Sequence, residues 1–209
     1  MNLLILFMSL AILTSALLAN GLKNAKDGEY EYIKDDNTLK TFRLIMPLSV
    51  VFSLLVGLYL PINGVMGEIP SDFGWAQLKN QIITKTAIAT LWEYLGAALF
   101  VFGLTLRWVA IISLKRAFTV KVTILKNHQL KSDGVYRWVR HPSYTGMYIY
   151  ALGLGFVMHS LISIAILLWG VWYTTHNRIP VEESVLEDHF GDAYREYKAK
   201  TWKLFPLIY

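Results

Sequence analysis

The chain has 209 residues, 55% of them hydrophobic and 14% aromatic, with 20 Lys and Arg against 15 Asp and Glu. It contains no cysteine, which excludes a disulfide framework, a thiolate nucleophile and a thiolate metal site. The apolar residues are gathered into long runs, and a run of about 20 is what a helix needs to cross a bilayer core, so a polytopic membrane protein is expected.

Met1 to Ala19 reads as a first transmembrane helix ending at Asn20-Gly21, since no Lys or Arg precedes it and the small-residue cleavage pattern of a signal peptide is poor. Residues 22 to 43 are polar and mixed in charge and read as a solvated loop. A second helix is expected from about Leu44, with Pro47 in its first turn, to near Leu60, where Pro61, Asn63, Gly64, Gly67 and Pro70 break the pattern. Residues 68 to 85 read as a short loop. The third run, Ala87 to Leu114, carries Glu93 and Arg107. An ionisable group at membrane depth costs a few kcal/mol (about 3) unless paired or snorkelled. Glu93 is therefore either a functional group or one paired with a basic neighbour, and Arg107 is expected to snorkel.

A basic segment follows, with Lys115, Arg116, Lys121, Lys126, Lys131, Arg137 and Arg140, which reads as a cytosol-facing lipid contact. It leads into Gly134-Val135-Tyr136-Arg137-Trp138-Val139-Arg140-His141-Pro142-Ser143-Tyr144. Pro142 is well placed to open a helix, because its missing N–H would have no partner there. One reading of this stretch is a membrane-boundary cap, with Arg137 and Arg140 snorkelling and Tyr136 and Trp138 in the aromatic belt. The other is one wall of a site. Two apolar segments, about 144 to 158 and 161 to 176, are joined only by His159-Ser160, which implies a helical hairpin. Gly146, Gly153 and Gly155 on its first limb suit close helix packing. From Asn177 the tail places Val181, Val185, Phe190, Tyr194 and Tyr197 on one side and charges on the other, the pattern of an interfacial amphipathic helix.

The expected fold class is thus all-α: about five transmembrane helices with a C-terminal helical hairpin and an amphipathic tail helix, forming one domain over residues 1–209. With the N-terminus outside, 18 of the 20 basic residues fall on the cytosolic side, as the positive-inside rule requires. The 115 to 144 segment and the tail then share one side and can build one site.

Arg178 and Glu182 are four apart, a spacing that puts both on one helix face and equally suits an ordinary ion pair. Pro180 between them can start a new helix and leave Arg178 in the turn before it. Glu183 and Glu187 read as a solvated flank. His128, His141 and His176 lack the paired spacing of a metal site, so no metal is expected. There is no Gly-rich phosphate loop, no nucleophile elbow and no soluble basic domain for nucleic acid.

The blocks His128-Gln129-Leu130-Lys131-Ser132-Asp133-Gly134-Val135-Tyr136, Arg140-His141-Pro142-Ser143-Tyr144-Thr145-Gly146, Arg178-Ile179 with Glu182-Glu183, and Phe190-Gly191 with Tyr194 and Tyr197 are together similar to the isoprenylcysteine carboxyl methyltransferase family. That family stands beside the phospholipid methyltransferases among small membrane methyltransferases. The resemblance covers about residues 115–209 and implies that this part is a cofactor-binding core following three N-terminal transmembrane helices in 1–114. It implies an S-adenosylmethionine site touched by His128, Gln129, Leu130, Lys131, Tyr136, His141, Pro142, Ser143, Tyr144 and Glu182, with Arg178 orienting the substrate. Lys131 and Lys121 depart from common family residues, so the backbone of Lys131 is expected to make the contact and Lys121 is omitted. The cofactor bears a carboxylate, an ammonium and a sulfonium. His141 and the N–H groups at the Pro142 helix start suit the carboxylate, Glu182 the ammonium or ribose, and Tyr136 and Tyr144 the adenine or sulfonium.

The activity implied is methyl transfer to a lipophilic acceptor at the membrane, foremost a prenylcysteine carboxylate. A phospholipid amine or small thiol is the alternative acceptor. A sterol-reductase-like NADPH enzyme and a non-catalytic membrane scaffold are the alternatives of other classes. The bilayer is the expected partner, and oligomeric state is left open.

Overall fold

In a computed structural model of the chain, residues 30–33, 38–59, 75–114, 118, 123–125 and 129–207 are described, with side chains at 40, 44–55, 91–114, 118, 124 and 129–207. The helices are α1 (Thr38–Tyr59), α2 (Trp75–Leu114), α3 (Pro142–Val157), α4 (Leu161–Phe190) and α5 (Asp192–Lys200). A 3₁₀ turn, Gly134–Arg137, precedes α3, and two short strands, β1 (Tyr30–Ile33) and β2 (Thr123–Leu125), pair antiparallel. Among the described residues the regular architecture is helical apart from that strand pair. The first expected helix, Met1 to Ala19, lies outside the described residues.

Several boundaries differ from the sequence expectation, for physical reasons. α1 begins at Thr38, so Pro47 lies inside the helix rather than in its first turn. α2 is 40 residues long and absorbs residues 75 to 85, expected to be loop; none of the Gln, Lys and Asn residues there blocks the extension of a helix already nucleated by its apolar part. Tyr30–Ile33, expected to be loop, pairs with β2. The largest difference lies at Pro180. It removes one donor but does not break the helix: α4 runs unbroken for 30 residues, with Ile179, Glu183 and Val185 buried around the proline. The expected tail helix is thus divided, Val181 and Val185 belonging to α4 and only Asp192–Lys200 forming a separate helix. Gly191, at φ 54°, makes the corner between them.

The hairpin is as expected. α3 starts with Pro142 in its first turn, and α4 begins three residues after α3 ends its cap at Met158, with the Ser160 hydroxyl accepting from Ser163 N at 3.1 Å. His159 takes φ 52° in the link, and its Nε2 meets Glu93 Oε1 at 3.2 Å. Glu93 is therefore paired with a basic neighbour, one of its two expected roles.

Glycine lets α2 and α3 approach closely. A Cβ on Gly146 would stand 2.5 Å from Gly103 O and 2.8 Å from Arg107 N, and one on Gly153 would stand 2.5 Å from Phe100 N and 2.6 Å from Gly96 O. Every one of those neighbours is backbone, so no side chain can move aside. Around this seam the core gathers Met46, Val50, Phe100, Met147, Tyr150, Leu154, Val157, Leu167 and Val171.

The outer faces are apolar as well. Leu91, Tyr94, Val101, Phe102, Ile112, Leu161, Ile162 and Trp169 are all exposed. Leu91–Leu114 is long and apolar enough to cross a bilayer, and Leu44–Leu55 is a shorter apolar helix.

Candidate active site

The buried ionisable groups Arg107, His141, Arg178 and Glu183 collect where α2 ends, α3 begins and the second half of α4 passes. Tyr144, one turn into α3, is the hub. Its hydroxyl accepts from Arg178 Nε at 2.9 Å and donates to Glu182 Oε2 at 2.9 Å. Arg178 and Glu182 thus share a helix face, as expected, but communicate through a tyrosine of the neighbouring helix rather than as a direct pair. Arg178 is 6% exposed, whereas the Glu182 side chain is 34% exposed, so one end of this relay is dry and the other wet.

His141 caps α3 from the preceding residue and is buried. Its ring stacks on Tyr144 with centroids 5.7 Å apart. Its Nε2 lies 3.1 Å from Glu183 Oε1, and its Nδ1 lies 3.9 Å from Glu182 Oε1. Tyr136, in the 3₁₀ turn, donates its hydroxyl to Ala110 O at 3.2 Å, tying that turn to the end of α2. Burial, with Glu182, Tyr197 and Tyr144 adding to it, pushes this phenol far above its usual range, so Tyr136 is a permanent donor.

The structure corrects three expectations about charged residues. Arg107 does not snorkel: it is 6% exposed and its guanidinium donates to Ser143 Oγ at 2.9 Å, pointing at the start of α3. Arg140 is not a lipid-facing cap. It donates from Nε to Glu183 Oε1 at 3.0 Å, and from its guanidinium to the carbonyls of Lys198 at 3.0 Å and of Thr201. Glu183 is not a solvated flank; it is buried, and receives Arg140, His141 and, at 3.7 Å, Lys198. Arg137, by contrast, is exposed and lies over the Trp138 ring at 5.8 Å, in keeping with a boundary role.

A further element had no sequence signal. Residues 201–204 form a strap along the turn before α3: Trp202 N donates to Trp138 O (3.0 Å), Arg140 N to Trp202 O (2.8 Å) and His141 N to Lys203 O (3.2 Å). Thr145 Oγ1 also donates to Leu204 O at 2.6 Å. The N–H groups of Arg140 and His141, just before the α3 start, are thereby already used.

Of the other expected contacts, His128 lies outside the described residues. Gln129 is exposed and Leu130 half-buried in irregular chain before the 3₁₀ turn. The Lys131 side chain pairs with Asp133 at 2.6 Å, which leaves its backbone as the part able to meet a ligand. Pro142 is buried and Ser143 is held by Arg107. Among the described residues no group of three or more His, Asp or Glu is arranged for a metal.

Glu183 also predicts an acid response. Burial opposes its charge, but hydrogen bonds and charge from His141 and Arg140 outweigh burial and hold its carboxyl at about 2, below the ordinary 4.5. A depressed carboxyl contributes stability that is complete above about pH 4.5 and is lost as pH falls towards 2, here up to about 3 kcal/mol. Thermal melting in detergent between pH 6 and pH 3 is expected to show this loss, and Glu183→Gln to remove much of it. An unchanged acid slope in that variant would contradict the assignment.

The isoprenylcysteine carboxyl methyltransferase family model matches residues 96–188. The chain is 36% identical over 108 residues to the protein-S-isoprenylcysteine O-methyltransferase of Schizosaccharomyces pombe, covering 51% of this chain and 46% of that one. It is 32% identical over 118 residues to a probable protein-S-isoprenylcysteine O-methyltransferase of Oryza sativa subsp. indica, covering 56% and 62%. The matched stretch therefore spans about half to three fifths of these relatives' length. Among solved structures, the eukaryotic intramembrane Ras methyltransferase ICMT aligns with a TM-score of 0.52 at 22% identity, over 83% of this chain and 69% of that one. Residues 96–188, which hold Arg107, Tyr136, His141, Tyr144, Arg178 and Glu182, resemble the isoprenylcysteine carboxyl methyltransferase family in sequence, and the chain shares the fold of that solved methyltransferase.

Proposed function

We propose that this protein is an integral-membrane, S-adenosylmethionine-dependent methyltransferase acting on the carboxylate of a prenylcysteine-type lipid. The observation that carries the reading is the relay from buried Arg178 through Tyr144 to half-exposed Glu182. It sets a dry cation for an acid on a lipid beside a wet anion for a cationic, water-soluble ligand. The relatives' names and the apolar outer faces support it. The proposed topology is one domain with five crossings, the N-terminus outside, and the site at the cytosolic boundary.

The residues fit the cofactor. Glu182, the stacked rings of His141 and Tyr144, and Tyr136 offer an anion and apolar faces within one wall. Cofactor-binding roles are thus assigned to Tyr136, His141, Tyr144 and Glu182, with Gln129, Leu130 and the Lys131 backbone continuing the wall. When bound, S-adenosylmethionine supplies a methyl group on a sulfonium. Arg178 orients the acceptor carboxylate by charge-assisted hydrogen bonding. Arg107, fixed by Ser143, adds a second buried guanidinium at the end of α2. A carboxylate is already ionised at neutral pH, so no general base is required. The acceleration comes from alignment in a site shielded from water, for which effective molarities allow about 7 to 11 kcal/mol.

Two measurements test the proposal. Calorimetry of S-adenosylhomocysteine on the intact, detergent-solubilised protein is expected to show binding; none would end the methyltransferase reading. Tritium transferred from S-adenosylmethionine to a prenylcysteine acceptor is expected to be released by base as methanol. Label that resists base would indicate an amine or thioether product instead.

A further inference from the structure

Glu182 and Glu183 are adjacent in sequence yet face different surroundings, and the difference assigns a task to each. Glu183 is buried, its Oε1 facing both Arg140 Nε at 3.0 Å and His141 Nε2 at 3.1 Å, with Lys198 Nζ 3.7 Å from Oε2. A carboxylate beside the Arg140 guanidinium and the Lys198 ammonium carries no proton and can only accept. His141 must therefore donate from Nε2, which leaves Nδ1 of the neutral ring as an acceptor.

Among the described residues that acceptor has no hydrogen-bond donor. It lies 3.9 Å from Glu182 Oε1, too far for a hydrogen bond between them. Glu182 Oε2 is engaged by the Tyr144 hydroxyl, so Oε1 is the oxygen turned towards His141. Two acceptors at this spacing are what a single N–H-rich cation bridges, standing about 2.9 Å from each.

We infer that Glu183 is a positioning residue: by pinning the Nε2 proton of His141 it turns Nδ1, together with Glu182 Oε1, into a two-acceptor seat for the ammonium of the cofactor's amino-acid end. This inference rests on the methyltransferase reading. It reverses the expectation that His141 receives the cofactor carboxylate.

The charged and titratable groups around His141 are Glu182 and Glu183 on α4, Tyr144 on α3, its chain neighbour Arg140, Arg178 through Tyr144, and Lys198 and Tyr194 on α5.

The test compares S-adenosylhomocysteine with two analogues, one lacking the amine and one lacking the carboxylate, on the full-length protein. Wild type is expected to bind the des-amino analogue about tenfold or more weakly than the parent, the scale of a charged hydrogen bond. Glu183→Gln is expected to lower parent affinity and to shrink the des-amino penalty severalfold, leaving the des-carboxy penalty unchanged. A purely structural Glu183 would weaken all three ligands in proportion, and that result would overturn the assignment. If Glu183→Gln does not fold, nitrogen-15 spectra of histidine-labelled wild type still decide. His141, identified by its loss in His141→Gln, must carry its neutral-form proton on Nε2, and an Nδ1–H tautomer would overturn the inference. Failure of wild type to bind the parent ligand would instead sink the methyltransferase reading itself.

Discussion

Replacing Arg178 with alanine is expected to lower kcat/KM for a prenylcysteine acceptor by about 10² to 10³, the scale of removing a preorganised donor from a shielded site. S-adenosylhomocysteine affinity should move only a few-fold, because Arg178 is joined to the cofactor wall through the Tyr144 hydroxyl. Arg178→Lys should recover little. Its point charge cannot reproduce the planar fork that orients a carboxylate while holding Tyr144. Tyr144→Phe should lie between wild type and Arg178→Ala in turnover, and should also weaken cofactor binding, since its hydroxyl steadies Glu182. Steady-state kinetics beside calorimetry separate the two effects. A variant Arg178→Ala with normal kcat and poor cofactor affinity would invert the proposed roles.

The second large effect is on stability. Gly146→Val and Gly153→Val place side-chain carbon against backbone atoms of α2, so the helices must separate rather than repack. Overpacking against movable side chains costs about 1 to 3 kcal/mol, and here the cost should lie at or above that range. Gly146→Val should also displace Arg107, whose backbone N would be 2.8 Å from the new Cβ, and so reduce turnover in any molecules that fold. Gly134→Ala is the control. Its surroundings are open but φ is 59°, so only a conformational cost of about 1 kcal/mol is expected. Thermal melting of the three variants in one detergent checks the order.

The features legible in the sequence are those with a local signal. Pro142 after a basic pair and a short link between apolar runs act through near neighbours, while small residues on the first limb of the hairpin announce close packing by their type alone, and each is found in place. Glu93 was recognisable because a carboxylate in an apolar run demands a partner. The same argument applies with equal force to Arg107, and treating it as a suspect rather than a snorkelling residue would have found it. Arg140 and Glu183 could not be read this way. Their burial depends on one another across 43 positions, and a charged residue on a polar tail carries no local mark of a partner so far away. Pro180 misled for a related reason: its local penalty is real, but buried contacts on both sides of it outweigh one missing hydrogen bond.

That unbroken α4 has a consequence for how depth is measured out. At about 1.5 Å per residue, Arg178 stands about 26 Å along the helix from Leu161 and Glu182 about 32 Å. A bilayer's hydrocarbon layer is about 30 Å thick. On the proposed topology, with the hairpin turn at the far surface, this helix would set Arg178 just beneath the near boundary and Glu182 just above it. A greasy acceptor and a hydrophilic donor would then meet at a fixed altitude, and a thicker or thinner bilayer would shift that meeting point for both at once.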